Sequence, residues 1–379
     1  MTERERDVQL AGLGYSEEQI ELLDVATTFC RDKSPIDKVR KLIDSDLGYD
    51  AGIWAEIGGL GWTAVAIPEA HGGVGLSLSE VVPLVEQMGH NLLASPFVAT
   101  TLAAQTLLVG GTEGQQTEWL PKLAEGKIGT LALAEAHGDW DLNNITATAR
   151  VDGDRIALSG TKLFVLWAET AEIIIASAVL DGKPVLVLLT KEDVASHLRR
   201  EAIIDETKRS FALNLDGISV ARSALLDPAK AMAALAHVDV ASVLLQSAEM
   251  CGGTQSVIDY TLDYLRTRKQ FGKIIGEYQA LKHPMVDAYV GYEKARSHLY
   301  SAADSFGDQG LGEIAVRMAK AAADGAYSHA ADRSVQFHGG FGFTHDCDAG
   351  LHRRAAIFHA SQFGDAAWQR AKLGDLLLG

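Results

Sequence analysis

Two short segments in the last third of the chain carry residue types that can hold an anion. In LRTRKQFGKIIGEYQALKH (265–283) a helical pattern ends in Arg268, Gln270, Phe271 and a glycine. A guanidinium offers phosphate a planar, bidentate fork, although a helix-end arginine also complements the helix dipole with no ligand present. In QFHGGFGFTHD (336–346), Gln336 is followed by Gly339, Gly340 and Gly342. Consecutive glycines let the backbone approach a phosphate closely, where a turn alone would need only one.

Acid–base candidates are fewer. Glu249 stands seven residues after Ser242, two turns along one helical face, so both can project toward one cavity; the alternative is a structural carboxylate paired within a bundle. His283, His329, His338, His345, His352 and His359 crowd the C-terminal half, yet no pair has a metal spacing backed by carboxylates. Lys208 and Arg209, beside the acidic run of DETKRSFALNLDG (205–217), offer positive charge to a phosphate.

These residues need a scaffold, and 379 residues supply two or three units with a substantial core. A helical pattern over about 16–109 and again near 112–127 predicts an N-terminal helical domain over 1–126. The serines of SLSEVVPLVEQMG are suited to an N-cap. From Ile128 short β-branched runs take over, with Asp-Gly between strands in VDGDRIAL and VLDGKPVLVL, which predicts an antiparallel β domain over 127–232. After Pro228 the pattern is helical to the end, predicting a four-helix bundle over 233–379. The fold class is α+β. Three scattered cysteines exclude a disulfide framework and fit a reducing cytoplasm. The charged start MTERERDVQL is not a secretory leader, and no run approaches the ~18 apolar residues of a membrane span. A net charge of −16 argues against a nucleic-acid binder.

With these segments in this order the chain resembles the acyl-CoA dehydrogenase family, flavoproteins that oxidise the Cα–Cβ bond of acyl-CoA thioesters. The resemblance rests on RKQFG (268–272), YQALKH (278–283) and QFHGGFGF (336–343) and covers nearly the whole chain. It implies FAD as the cofactor and an acyl-CoA as the substrate. In the family these segments cross a subunit interface to the ADP half of a neighbour's FAD. Arg268 would then meet the pyrophosphate, Gln270 and Phe271 would line the adenosine side, and Gln279, Gln336, Gly339 and Gly340 would complete it. The resemblance also implies a tetramer and an electron-transfer flavoprotein as acceptor.

The middle of the chain departs from the family. AEAHGDWD (134–141) keeps Glu135 and Asp141 of the stretch that touches the flavin ring, but has Ala134, Ala136 and Trp140 where relatives carry threonine, proline and serine. In GTKLFVLWAETAE, Leu166 replaces a hydroxyl, and Trp167 is either a stacking surface for flavin or plain packing. The two places where relatives keep the glutamate base hold Phe363 and Ser242. The expectation is a dehydrogenase subunit that shares its flavin site with a homologous subunit, in a heterotetramer. Glu249 as the base of a self-sufficient homotetramer, and a non-catalytic homologue that retains the fold, are the alternatives.

Overall fold

The computed structural model describes residues 16–379, so the MTERERDVQL segment lies outside the described residues. Among the described residues six α-helices precede the β region: α1 (Glu17–Lys33), α2 (Ile36–Ile43), α3 (Ala51–Gly59), α4 (Leu78–His90), α5 (Phe97–Gly110) and α6 (Glu113–Ala124). Their starts follow from local chemistry. Ser16 with Gln19, Ser77 with Glu80 and Thr112 with Gln115 each form a capping box that satisfies free N–H groups at a helix start.

The β region contains β1 (Gly129–Ala132), β2 (Thr148–Asp152), β3 (Arg155–Ser159), β4 (Thr161–Leu166), β5 (Ile173–Leu180), β6 (Lys183–Thr190), the one-turn α7 (Lys191–Val194), β7 (Leu198–Glu201), β8 (Ser210–Asn214) and β9 (Ser219–Ala221). One sheet runs β1-β5-β2-β3-β9 with β6 on β5; a second runs β4-β8-β7. Most pairs are antiparallel. The β5–β6 hairpin closes at Asp181-Gly182, with φ of 50° and 76°, as its Asp-Gly signal predicts. Two pairings, β1 with β5 and β2 with β5, are parallel, unlike the antiparallel expectation. The apolar β5 is buried on both faces over Ile173–Ala178 and takes partners of either sense, which a local hairpin signal cannot report.

The C-terminal helices are α8 (Ala231–Thr267), α9 (Gln279–Asp304), α10 (Leu311–Phe337), α11 (Asp348–Ser361) and α12 (Ala366–Leu378), with the small β10 (Lys269–Gln270) and β11 (Lys273–Ile274) between α8 and α9. Phe363 and Gly364 take left-handed φ of 53° and 86°, which splits the last helical stretch in two, so five helices follow the β region. By length and hydropathy α8 could cross a membrane, but 67% of its most apolar window is buried in the fold, as in a core helix. It crosses α4 very closely: a Cβ on Gly252 would stand 1.8 Å from Glu86 O, and one on Gly89 2.1 Å from Glu249 O.

Candidate functional site

At the end of α8, Arg268 N–H donates to Tyr264 O (2.9 Å), and Arg268 C=O accepts from Ile275 N–H (2.9 Å). β10 and β11 pair Gln270 with Lys273 around a two-residue turn, Phe271-Gly272, both at positive φ (53° and 83°). A phenylalanine in this conformation is uncommon, and its ring is 92% exposed. Tyr264 and Tyr260 stack on His338 at 4.2 and 4.7 Å, which fixes the Gly339–Phe343 turn beside the end of α8. Gln336 lies in the last turn of α10 and Gln279 opens α9. The structure therefore brings Arg268, Gln270, Phe271, Gln279, Gln336, Gly339 and Gly340 to one end of the bundle, all of them exposed.

This cluster fits the ADP half of FAD. It presents a cation, the bare rings of Phe271 and Phe343 (86% exposed), and glycine backbone. A Cβ on Gly340 would meet nothing within 4 Å, so the chain's own packing does not require that glycine.

The ring-side segments meet elsewhere, around a slot of about 70 Å³ lined by Val98, Leu102, Trp140, Leu166, Gln246 and Phe363. The Trp140 and Phe363 rings touch, with centroids 4.7 Å apart and a tilt of 34°. Glu135 is buried and used structurally: it accepts from the backbone N–H groups of Thr146 (2.8 Å) and Ala147 (3.0 Å) and pairs with Lys162 at 2.5 Å. Burial works to raise its pKa, but Lys162 and the hydrogen bonds prevail and hold it at about 2. Asp141 faces Lys372 at 3.3 Å. Trp167 is 3% exposed, packs edge-on against Tyr49 at 5.6 Å and is not among the residues lining the slot. Of its two readings, the structure shows packing.

Ser242 is fully buried, and its Oγ has no hydrogen-bond partner. Glu249 does not line the slot. Its Oε1 lies 2.5 Å from Lys208 Nζ and 3.8 Å from His359 Nε2. Burial raises the Glu249 pKa, but the charge of Lys208 and its hydrogen bond outweigh it and leave the carboxyl below its ordinary value. Lys208 moves up despite its own burial, held by Glu249 and Asp205. This corrects the phosphate reading of Lys208 and Arg209. Arg209 is 4% exposed and spends its guanidinium on the carbonyls of Leu42, Ile43 and Ser45, at 2.9, 2.9 and 2.7 Å. Lys208 as partner of Glu249 had no sequence signal, since 41 residues separate them.

The models for the acyl-CoA dehydrogenase N-terminal domain and C-terminal domain match residues 16–127 and 217–377. The chain belongs to the acyl-CoA dehydrogenase family. With the family come its cofactor, FAD, and its chemistry, oxidation of a CH–CH bond in an acyl-CoA thioester. The chain is 32% identical to acyl-CoA dehydrogenase FadE12 of Mycobacterium bovis over 82% of each chain. It is 30% identical to acyl-CoA dehydrogenase IpdE2 of Mycolicibacterium smegmatis over 94% of this chain and 98% of that one. Among solved structures it superposes on a Tcur3481-Tcur3483 steroid ACAD variant with a TM-score of 0.86 at 29% identity, covering 97% and 98% of the two chains. It also shares its fold with a chain of the ChsE4-ChsE5 complex from Mycobacterium tuberculosis, at a TM-score of 0.87 and 24% identity, covering 96% and 98%.

Proposed function

We propose that this chain is one subunit of a heteromeric FAD-dependent acyl-CoA dehydrogenase, serving the ADP half of a flavin whose ring and base belong to a homologous partner. The reaction removes a proton alpha to the thioester while hydride leaves the beta carbon for flavin, so a carboxylate must stand free beside the alpha carbon. One observation carries the reading. The glutamate positions of relatives hold Phe363 and Ser242, and the nearby Glu249 is tied to Lys208. A Glu249-driven homotetramer would first have to withdraw that lysine. Under this proposal Arg268 meets pyrophosphate, Gln270 and Phe271 line the adenosine, and Gln279, Gln336, Gly339 and Gly340 complete the cradle.

The α9 face formed by Val286, Tyr289 and Val290 is 58%, 52% and 51% exposed, and supports a tetramer built on the C-terminal helices. The solved relative Tcur3481-Tcur3483, whose name joins two proteins, supports pairing with a second chain. We place the enzyme in the cytoplasm, in keeping with three free, buried cysteines, with an electron-transfer flavoprotein as its acceptor. We divide the chain at 126/127, between α6 and β1, and at 232/233, in the first turn of α8.

The test is assembly. Co-expressed with a homologous chain that has both the ring contacts and the glutamate, this chain should elute as a mixed tetramer that oxidises acyl-CoA. A homotetramer that turns over acyl-CoA with no second chain would overturn the reading.

A further inference from the structure

The two segments expected at the flavin ring and the one expected at the catalytic base do converge, but on each other. Trp140 comes from the loop after β1, Leu166 from the end of β4 and Phe363 from the loop between α11 and α12; all three line one slot. About 70 Å³ is open there, against the ~150 Å³ of an apolar cavity that holds one benzene. A fused tricycle needs far more. The ring half of FAD therefore does not fit the residues present, although the ADP half fits the other end of the bundle.

The backbone that carries each aromatic residue is held in place, and the two rings rest on each other. The Phe363 backbone sits at φ 53°, and its carbonyl accepts from Gln369 Nε2 at 2.6 Å. Gln369 is itself fully buried, and its Oε1 accepts from Arg317 at 3.0 Å. A few residues on, Ala366 N–H donates to Asp324 at 2.9 Å. On the other side Asp139, next to Trp140, accepts from Asp141 N–H at 2.9 Å and from Asn144 Nδ2 at 2.9 Å, while Lys372 ties Asp141 to α12 at 3.3 Å. A left-handed aromatic residue persists only where its surroundings over-determine it.

We propose that Trp140 and Phe363 form a fixed aromatic plug that excludes an isoalloxazine from this chain's own ring site. The inference rests on the subunit reading above and names the two side chains that enforce it. It makes them specificity elements that act by filling volume.

Lumiflavin, the isoalloxazine without ribityl phosphate or ADP, separates this question from assembly. Flavin fluorescence would be titrated with the isolated chain, wild type against Trp140→Ala/Phe363→Ala, with circular dichroism to show that the fold is kept. The opened site should bind lumiflavin at least ~10-fold more tightly than wild type. If the double alanine variant does not fold, Phe363→Leu, which keeps an apolar cover but removes the ring, should give a smaller gain in the same direction. Equal affinity in wild type and folded variants, whether tight or absent, overturns the plug. Because no partner chain or ADP contact enters this assay, the plug can fail while the heteromer stands, and the reverse.

Discussion

Lys208 and Glu249 meet at 2.5 Å across the boundary between the β region and the C-terminal helices, with side chains only 12% and 13% exposed. Burial alone would push each toward its neutral form, yet each charge stabilises the other. A carboxylate held this way is a weak proton acceptor and a strong structural tie.

Replacement of Glu249 by Gln should therefore act mainly on stability, because it removes the carboxylate paired with the buried Lys208 and leaves only the charge of Asp205 to offset it. The expected loss is about 3 to 5 kcal/mol, read as a lower denaturant midpoint. Adding Lys208→Met should recover part of it. In the assembled enzyme, turnover per bound flavin should change little. Loss of the ~10²-fold typical of a missing general base, at full flavin content, would make Glu249 catalytic.

Acid should weaken the fold earlier than ordinary carboxylates require. Burial pushes His352 down to about 3 and His359 to about 4. Below the ordinary value of 6.5 the unfolded chain takes up protons that the native chain refuses, so stability is full above that value and falls as pH drops toward the folded values. The depressed Glu249 carboxyl adds the same sign at lower pH. Each histidine should contribute a slope of about 1.4 kcal/mol per pH unit, and His359→Gln should remove its share. Urea midpoints between about pH 7 and about pH 5 would show it.

The α4–α8 crossing should tolerate no side chain. Gly252→Ala would place a Cβ 1.8 Å from Glu86 O, a backbone atom that can move only with its helix. A loss above ~4 kcal/mol, or failure to fold, is expected. Gly59→Ala, where a Cβ meets nothing within 4 Å, should be neutral or gain roughly 0.5–1 kcal/mol.

Much of this was legible in the sequence because it is local. The serines of SLSEVVPLVEQMG marked the start of α4, Asp181-Gly182 marked a hairpin, and the motif around Arg268 marked an end of the bundle that the structure does assemble. What was not legible depends on contacts between distant residues. The parallel β1–β5 pairing, the Lys208–Glu249 tie and the Arg209 wrap around the carbonyls at the end of α2 have no sequence period. The contact of Trp140 with Phe363 joins residues that read separately as lost functional positions.

Arg268→Ala should lower the flavin content of the mixed tetramer, since an anionic group at the interface loses its charge partner. By analogy with truncated interfacial pairs the loss is roughly 2 to 4 kcal/mol in apparent flavin affinity. The fold of the isolated chain should not change, because Arg268 is exposed. Unchanged flavin occupancy would remove it from the site.

The most direct test of the divided site is the flavin absorbance of this chain purified alone and then with its homologous partner. The proposal predicts a colourless lone chain and FAD in the mixed assembly, released when Arg268 is replaced. Stoichiometric FAD in the lone chain, with reduction of that flavin by an acyl-CoA, would contradict it.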